Sequence, residues 1–103
     1  MAFAATVSLD PYVVDVLMPD LVGHDRKPSA FVVYLYLSAA ASRSGRDRVG
    51  ASLQTIATRT GLSKSAVQSA LRHLRRRGLV ADEEVAATDP VRVVVRPWAR
   101  KKA

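Results

Sequence analysis

The sequence contains no cysteine, no long apolar run and only two histidines among its 103 residues. Without cysteine there is neither a disulfide nor a thiolate metal site, which fits a reducing compartment. No apolar stretch approaches the ~20 residues of a membrane span, and no basic-then-apolar signal pattern opens the chain. We therefore expect a cytoplasmic protein without membrane contact.

Catalytic patterns are absent as well. No glycine-rich phosphate loop occurs, and the two histidines, His24 and His73, lie on separate segments without metal-ligand spacing. The acidic run Asp82-Glu83-Glu84 has no nucleophile or base near it in the sequence. We expect no enzyme, no metal and no cofactor.

Apolar residues make up 49% of the chain, which predicts one folded domain of modest core size. The formal net charge of +7 is unevenly distributed. Residues 1–42 carry two basic and four acidic side chains, whereas residues 43–103 carry fourteen basic and five acidic ones. Only the second part is expected to face a polyanion.

Residues 1–27 are expected to form an N-terminal arm and helix. Met1 to Leu9 is mildly apolar and reads as a short strand or a loose arm. Asp10-Pro11 then provides an N-cap followed by proline at the first helical position, and Pro19 is expected to end or kink the helix. The connector from His24 to Lys27 is polar, and its Asp25 has no evident chemical role.

The apolar residues of this N-terminal region outnumber those that a peripheral helix usually needs. They either cap the small core or form a homodimer interface, and we favour a dimer. The residues are Val13, Val14, Val16, Leu17, Leu21 and Val22.

A winged-helix core is expected over residues 28–96. Pro28-Ser29 opens a helix that runs to about Ser42. Its apolar stripe is Phe31, Val32, Leu35 and Ala39, widened by Tyr34, Tyr36 and Leu37. A polar loop follows to Arg48, and Val49-Gly50-Ala51 suits one short strand.

Two capped helices come next. Ser52 is an N-cap for a helix that ends at Thr60-Gly61, and Ser63 caps a helix from 63 to 77. The second helix has an apolar stripe of Val67, Ala70, Leu71 and Leu74, and Gly78 suits its C-terminal stop.

Two strands, Leu79 to Ala81 and Val91 to Val95, are expected after these helices, joined by the acidic stretch from Asp82 to Pro90. Alternation on the second strand would place Val91, Val93 and Val95 inward and leave Arg92, Val94 and Arg96 outward. Residues 97–103 are expected to form a basic tail.

The stretch from Ser52 to Val80, SLQTIATRTGLSKSAVQSALRHLRRRGLV, resembles the core of winged helix-turn-helix regulators of the GntR and MarR type. The resemblance rests on the Leu53/Ile56/Ala57 spacing, the Gly61-Leu62-Ser63 turn and the Gly78-Leu79-Val80 exit. It implies a mainly α fold with a small antiparallel β-wing, here with an extra N-terminal helix. It also implies a bacterial-type transcriptional regulator that binds double-stranded DNA, usually as a homodimer.

The helix from 63 to 77 is wide enough, at ~10–12 Å, to fill a B-DNA major groove. With its apolar stripe inward, the opposite side offers hydroxyl, amide and arginine groups that can read base edges. The acidic start of the wing disfavours its deep insertion beside phosphates. The expected DNA-binding residues are Thr55, Arg59, Ser63, Lys64, Ser65, Gln68, Ser69, Arg72, His73, Arg76, Arg92 and Arg96.

Each of these residues also has a purely structural interpretation. In this interpretation Ser63 serves as an N-cap and contacts no DNA. Arg75 to Arg77 then form a solvated helix end that complements the helix dipole. Other roles for the same fold are plasmid replication or partition, nucleoid architecture, or a protein-interaction module. No small-molecule effector site is evident in the sequence.

Overall fold

The computed structural model describes residues 6–83 and 91–98. An N-terminal helical region covers residues 11–24 and contains two π-helical segments, Val13–Leu17 and Pro19–His24. It is followed by α1 (Pro28–Ser44), β1 (Arg48–Gly50), α2 (Leu53–Thr60), α3 (Lys64–Arg76), β2 (Val80–Glu83) and β3 (Val91–Val94). Of the strand or arm expected at Met1 to Leu9, residues 1–5 lie outside the described residues and residues 6–9 form no strand. Residues 84–90 of the wing connection and residues 99–103 also lie outside the described residues.

The N-terminal helical region starts where the sequence predicts. Asp10 caps it, since its carboxylate Oδ1 accepts a hydrogen bond from the Tyr12 N–H at 3.0 Å. Of the two effects expected of Pro19, an end of the helix is wrong, because the helical backbone continues to His24. Pro19 stands at the first position of the second π-helical segment and, having no N–H, donates no hydrogen bond to the preceding turn.

The π-helical segments bury one row of side chains. Val13, Leu17 and Leu21 follow one another at every fourth position and are at most 3% exposed. Because the hydrogen bonds of a π-helix span five residues instead of four, side chains four positions apart lie close to one face of the helix. The N-terminal region is therefore packed into the core rather than lying loosely on it.

Helix α1 packs against α3 and the N-terminal region. Its ends agree with the prediction, but its buried face agrees only in part, because Phe31 is buried as expected and Val33 is buried in place of Val32. Val33, Tyr34 and Leu37 are fully buried, whereas Val32 is 37% exposed. Apolar residues surround this helix on all sides, so spacing alone does not identify the inner face.

The expected caps of the helix-turn-helix are confirmed. The Ser52 hydroxyl accepts from the Thr55 N–H, and the Ser63 hydroxyl accepts from the Ala66 N–H, each at 3.1 Å. Gly61, at φ 83°, ends α2 in the left-handed region that favours glycine.

The three strands form an antiparallel sheet in the order β1-β3-β2. Val94 pairs with Val80 in β2, and Val93 pairs with both Arg48 and Ala81. Strand β2 extends to Glu83, so Asp82 belongs to a strand and not to a loop as expected.

The expected orientation of β3 is also wrong. Arg92 and Val94 are the buried residues of this strand, at 6% and 5% exposure, while Val91 and Val93 are half-buried. The arginine can face inward because the protein supplies its hydrogen-bond acceptors, which a reading by hydropathy does not anticipate.

The two ends of the described chain meet. The Trp98 ring stacks on Tyr12 with ring centres 4.5 Å apart, and its Nε1–H donates to Asp10 Oδ2 at 2.8 Å. Trp98, expected in a tail, is thus packed against the N-terminal region. Within the described ranges, no helix is long and apolar enough to cross a membrane.

Candidate nucleic-acid interface

Helix α3 divides into a buried and an exposed side. Its inner face is the expected stripe of Val67, Ala70, Leu71 and Leu74. Ser65, Gln68, Arg72 and Arg76 are all exposed. Their spacing of three and four residues places them along one side of the helix. This exposed row carries one hydroxyl, one amide and two guanidinium groups.

Two of the expected site residues on α3 are used within the protein. Lys27 Nζ donates a hydrogen bond to Ser69 Oγ at 3.2 Å, and His73 Nε2 lies 2.8 Å from Asp25 Oδ2. Both side chains flank the buried stripe and are half-buried. The row that faces solvent is therefore narrower than the sequence indicates.

Asp25 is the centre of an ionic cluster that sequence reasoning missed. Its side chain is only 8% exposed, and its oxygens contact His24 Nδ1 at 2.9 Å, His73 and the Arg77 guanidinium. Arg77 also bonds Asp20. The partners in α3 and just beyond it are about fifty positions away, so no local pattern signals the contact. This Asp25 cluster joins the N-terminal region to the C-terminal end of α3.

The electrostatics of the Asp25 cluster follow from these contacts. The hydrogen bonds from His24 and His73 lower the pKa of Asp25 to about 2, and Arg77 adds to the effect. The hydrogen bond to Asp25 and the charges of Asp25 and Asp20 raise the pKa of His24 above its ordinary value. Each shift favours the charged form of its group.

The Asp25 cluster makes folding stability depend on acid pH. Because the pKa of Asp25 lies below its ordinary value of 3.8, the stabilisation is complete above pH 3.8 and is lost as pH falls toward 2. We expect the free energy of unfolding of the wild type to fall more steeply over this range than that of Asp25→Asn. Urea unfolding at a series of pH values measures it.

The control is Asp15→Asn, which changes an exposed carboxylate of the same region. This variant should keep the wild-type pH profile. Parallel profiles for the wild type and Asp25→Asn would contradict the assignment.

Three of these side chains bring together atoms that can bind metals, contrary to the expectation from spacing. Potential ligand atoms of Asp20, His24 and Asp25 lie within 4.8 Å of one another. The Arg77 guanidinium already bonds both carboxylates and neutralises part of their charge. The arrangement is therefore explained by internal ion pairing.

The arginines at the end of α3 differ in their contacts. Arg75 donates to Asp82 Oδ2 at 2.7 Å, and Arg77 belongs to the Asp25 cluster. Arg76 is exposed and forms no ion pair with any residue in the described part of the chain. Only Arg76 of these three is left free for an external anion.

Helix α2 and the turn contribute a second group of exposed side chains. Thr55 and Arg59 lie on α2, and Ser63 and Lys64 stand at the start of α3. Within residues 6–83 and 91–98, neither Arg59 nor Lys64 has an acidic partner within 4 Å. Both cations are therefore available to a phosphate.

Arg92 performs a structural task in place of the expected external one. Its Nε donates to the Ala51 carbonyl at 3.0 Å, and its guanidinium contacts Asp82 Oδ1 at 3.1 Å. Asp82 in turn bonds Arg75 of α3. Asp82 thus links β2 to β3 through Arg92 and to α3 through Arg75. Arg92 also links β3 to Ala51, the residue before the Ser52 cap.

Arg96, expected on the outer side of a strand, is exposed but lies beyond the end of β3. It lines a cleft together with Arg46 of the α1–β1 connection and Arg48 of β1. Since β3 begins at Val91, which pairs with Glu83 of β2, Arg96 stands beyond the other end of β3.

The fold with its exposed α3 defines a winged helix-turn-helix protein with an additional N-terminal helical region. A family model described as a helix-turn-helix domain matches residues 27–80, and the chain belongs to this family. The match includes α1, α2 and α3 and ends at the first residue of β2. No curated protein and no solved structure matches the chain.

Proposed function

We propose that the protein is a sequence-specific, bacterial-type transcriptional regulator of the cytoplasm that lays α3 into the major groove of double-stranded DNA. The observation that carries the proposal is the set of unpaired cations on α2 and α3. In the described ranges, Arg59, Lys64, Arg72 and Arg76 have no ion-pair partner, although every other arginine of α3 and its C-cap is paired.

Base reading is assigned to the exposed row of α3. Arg72 can donate two hydrogen bonds to guanine O6 and N7, and Gln68 can pair with adenine N6 and N7. Both side chains are exposed and lie one turn apart. Ser65 supplies a short hydroxyl near the start of the helix, where the helix comes closest to the base edges.

Backbone contacts are assigned to the residues around the turn. Thr55 and Arg59 of α2 and Lys64 at the start of α3 face solvent and can bond phosphate oxygens. The free N–H groups at the start of α3 favour an anion there, and Ser63 serves mainly as the cap. Ser69, His73 and Arg92 are left out because each is at least half-buried and bonds another segment of the protein.

The proposal includes a homodimer. Val14, Met18 and Val22 form an exposed apolar row next to the buried row of the N-terminal region, at 38–42% exposure. Covering this row with the same row of a second copy would give a two-fold symmetric pair. Two copies of α3 could then meet half-sites about one helical turn apart.

The experiment starts by enriching bound duplexes from a random DNA library with the full chain. The enriched sequence should be an inverted repeat, as a symmetric pair requires. Arg72→Ala should then weaken binding to this sequence about 5- to 150-fold, a loss of ~1–3 kcal/mol, and relax preference at one base pair of each half-site. Fluorescence anisotropy measures the affinity.

Two other arginine variants serve as controls. Arg59→Ala should weaken binding to enriched and to random duplexes by the same factor. It should also reduce the slope of log affinity against log salt concentration by about 0.9, as loss of a phosphate contact does. Arg43→Ala removes an exposed arginine of α1 and should change neither the affinity for DNA nor the salt slope. Equal behaviour of the Arg72 and Arg43 variants would exclude the proposed docking of α3.

The distribution of bound sites in a genome distinguishes regulation from the other DNA-directed roles. Short inverted repeats near promoters support the regulator. Iterated repeats at a replication origin, or broad coverage, would instead point to replication or nucleoid architecture.

A further inference from the structure

The connector of residues 25–27, which joins the N-terminal helical region to α1, lies along one flank of α3. Lys27 Nζ donates a hydrogen bond to Ser69 Oγ at 3.2 Å, and Asp25 contacts His73 one turn further along the helix. Arg77, which also contacts Asp25, continues this flank, because Ser69, His73 and Arg77 follow one another at every fourth position. The connector therefore borders about two turns of α3.

The other flank of α3 faces the wing. Arg75 donates a hydrogen bond to Asp82 of β2 at 2.7 Å. At 100° per residue, the exposed row of α3 lies between this flank and the flank that the connector borders. A helix seated in the major groove has a sugar-phosphate backbone on each side. A duplex docked on the exposed row would therefore bring one backbone toward the wing and the other toward the connector.

The connector holds all the lysine and arginine of the first 42 residues. These are Arg26, which is exposed, and Lys27, which is half-buried. Within residues 6–83 and 91–98, neither cation has a carboxylate within 4 Å. The neighbouring carboxylates of Asp20 and Asp25 are bonded to Arg77 instead. Two adjacent cations beside α3 are thus available to an external anion.

The backbone of Arg26 has a conformation that usually belongs to glycine. Its φ is 57°, and in the described part of the chain it is the only residue other than glycine in the left-handed region. After α1, α2 and α3, the corresponding left-handed position holds a glycine in every case, namely Gly45, Gly61 and Gly78. A Cβ is sterically disfavoured in this region. Folding alone would favour glycine at position 26, so the arginine there indicates a use for its guanidinium.

We propose that Arg26 and Lys27 bind the sugar-phosphate backbone that passes α3 on the side opposite the wing. This inference rests on the proposed docking of α3 and adds phosphate contacts from outside the helix-turn-helix. The guanidinium can form two parallel hydrogen bonds with one phosphate, and the ammonium acts as a point charge beside it. Phosphate contacts of this kind strengthen binding and fix its register without selecting a base.

The first test measures affinity for the enriched duplex and for a random duplex, with the full chain, over a series of salt concentrations. Arg26→Gly should weaken binding to both duplexes about eightfold at about 0.1 M salt and reduce the salt slope by about 0.9. Lys27→Gln should reduce the slope by a similar amount. Arg26→Lys should keep the wild-type slope, because it keeps the charge. Arg43→Gln removes an exposed arginine of α1 and should bind DNA as the wild type does.

Urea unfolding of the same variants separates a DNA contact from a role in the fold. Glycine at position 26 removes the Cβ from the left-handed region, so Arg26→Gly should raise the midpoint of urea unfolding. A variant that is more stable and yet binds DNA more weakly would show that the guanidinium acts on DNA.

Single neutral methylphosphonates in the enriched duplex locate the contact. At the phosphate that Arg26 binds, this change should weaken the wild type about eightfold. It should have no further effect on Arg26→Gly, because the interaction between the two groups is already absent.

Two results would overturn this inference and leave the proposed function in place. One is wild-type affinity and salt slope for Arg26→Gly and Lys27→Gln while Arg59→Ala binds more weakly, as expected if the two cations face an acidic protein instead. The other is weaker DNA binding by Arg26→Gly together with a lower midpoint of urea unfolding, because the guanidinium would then support the fold. Wild-type binding by Arg59→Ala and Arg72→Ala would instead reject the docking of α3 itself.

Discussion

Replacing Arg92 with alanine is expected to lower the free energy of unfolding by about 3 kcal/mol. The guanidinium is buried and bonds both the Ala51 carbonyl and the Asp82 carboxylate. Its removal leaves the carbonyl without this partner and a void beside β3, and each contributes a cost of ~1–3 kcal/mol. For a chain of this length, the melting temperature should fall by roughly 10–20 °C. Thermal and urea unfolding measure the change.

The matched control is Arg75→Ala, which removes the other arginine bonded to Asp82. The Arg75 side chain is 40% exposed, and pairs of this kind contribute about 0–1 kcal/mol. We expect a large difference between the free energies of unfolding of the two variants, although both lose an ion pair with the same carboxylate. Similar losses would show that burial of Arg92 does not determine its contribution.

Leu17→Ala should destabilise the fold by about 3–4 kcal/mol, within the range measured for buried leucines. Leu17 is 3% exposed and belongs to the buried row that joins the N-terminal region to the core. A peripheral arm would not show such a loss, because its side chains would stay largely in water. The measurement is urea unfolding followed by far-UV circular dichroism.

Val16→Ala is the control one position away. Val16 is 39% exposed and lies outside the apolar row proposed for the dimer, so its loss should be below about 1 kcal/mol. If the free energy of unfolding falls by the same small amount in both variants, the N-terminal region does not form part of the core.

Local chemistry explains most of what the sequence predicts correctly. The hydroxyls of Ser52 and Ser63 cap their own helices within three residues, and Gly61 ends α2 through its own backbone freedom. These signals need no knowledge of the rest of the fold. The bounds of α1, α2 and α3 were accordingly predictable to within about two residues.

The errors concern contacts between distant parts of the chain. Asp25 gains its role from His73 and Arg77, and Arg92 can turn inward only because Ala51 and Asp82 meet it there. The alternation of valine and arginine in β3 predicts the opposite orientation, because hydropathy treats burial of an arginine as unfavourable whatever its partners. The same limit applied to Ser69, whose hydroxyl is bonded by Lys27 from another segment.

The stacking of Trp98 on Tyr12 gives the chain an internal optical reporter. Trp98 is the only tryptophan of the sequence, and both its ring and its N–H contact the start of the N-terminal helical region. Its emission therefore follows the attachment of that region rather than an average over the molecule. Comparing its wavelength maximum with helical ellipticity along a denaturant series separates local opening of this junction from loss of the whole fold.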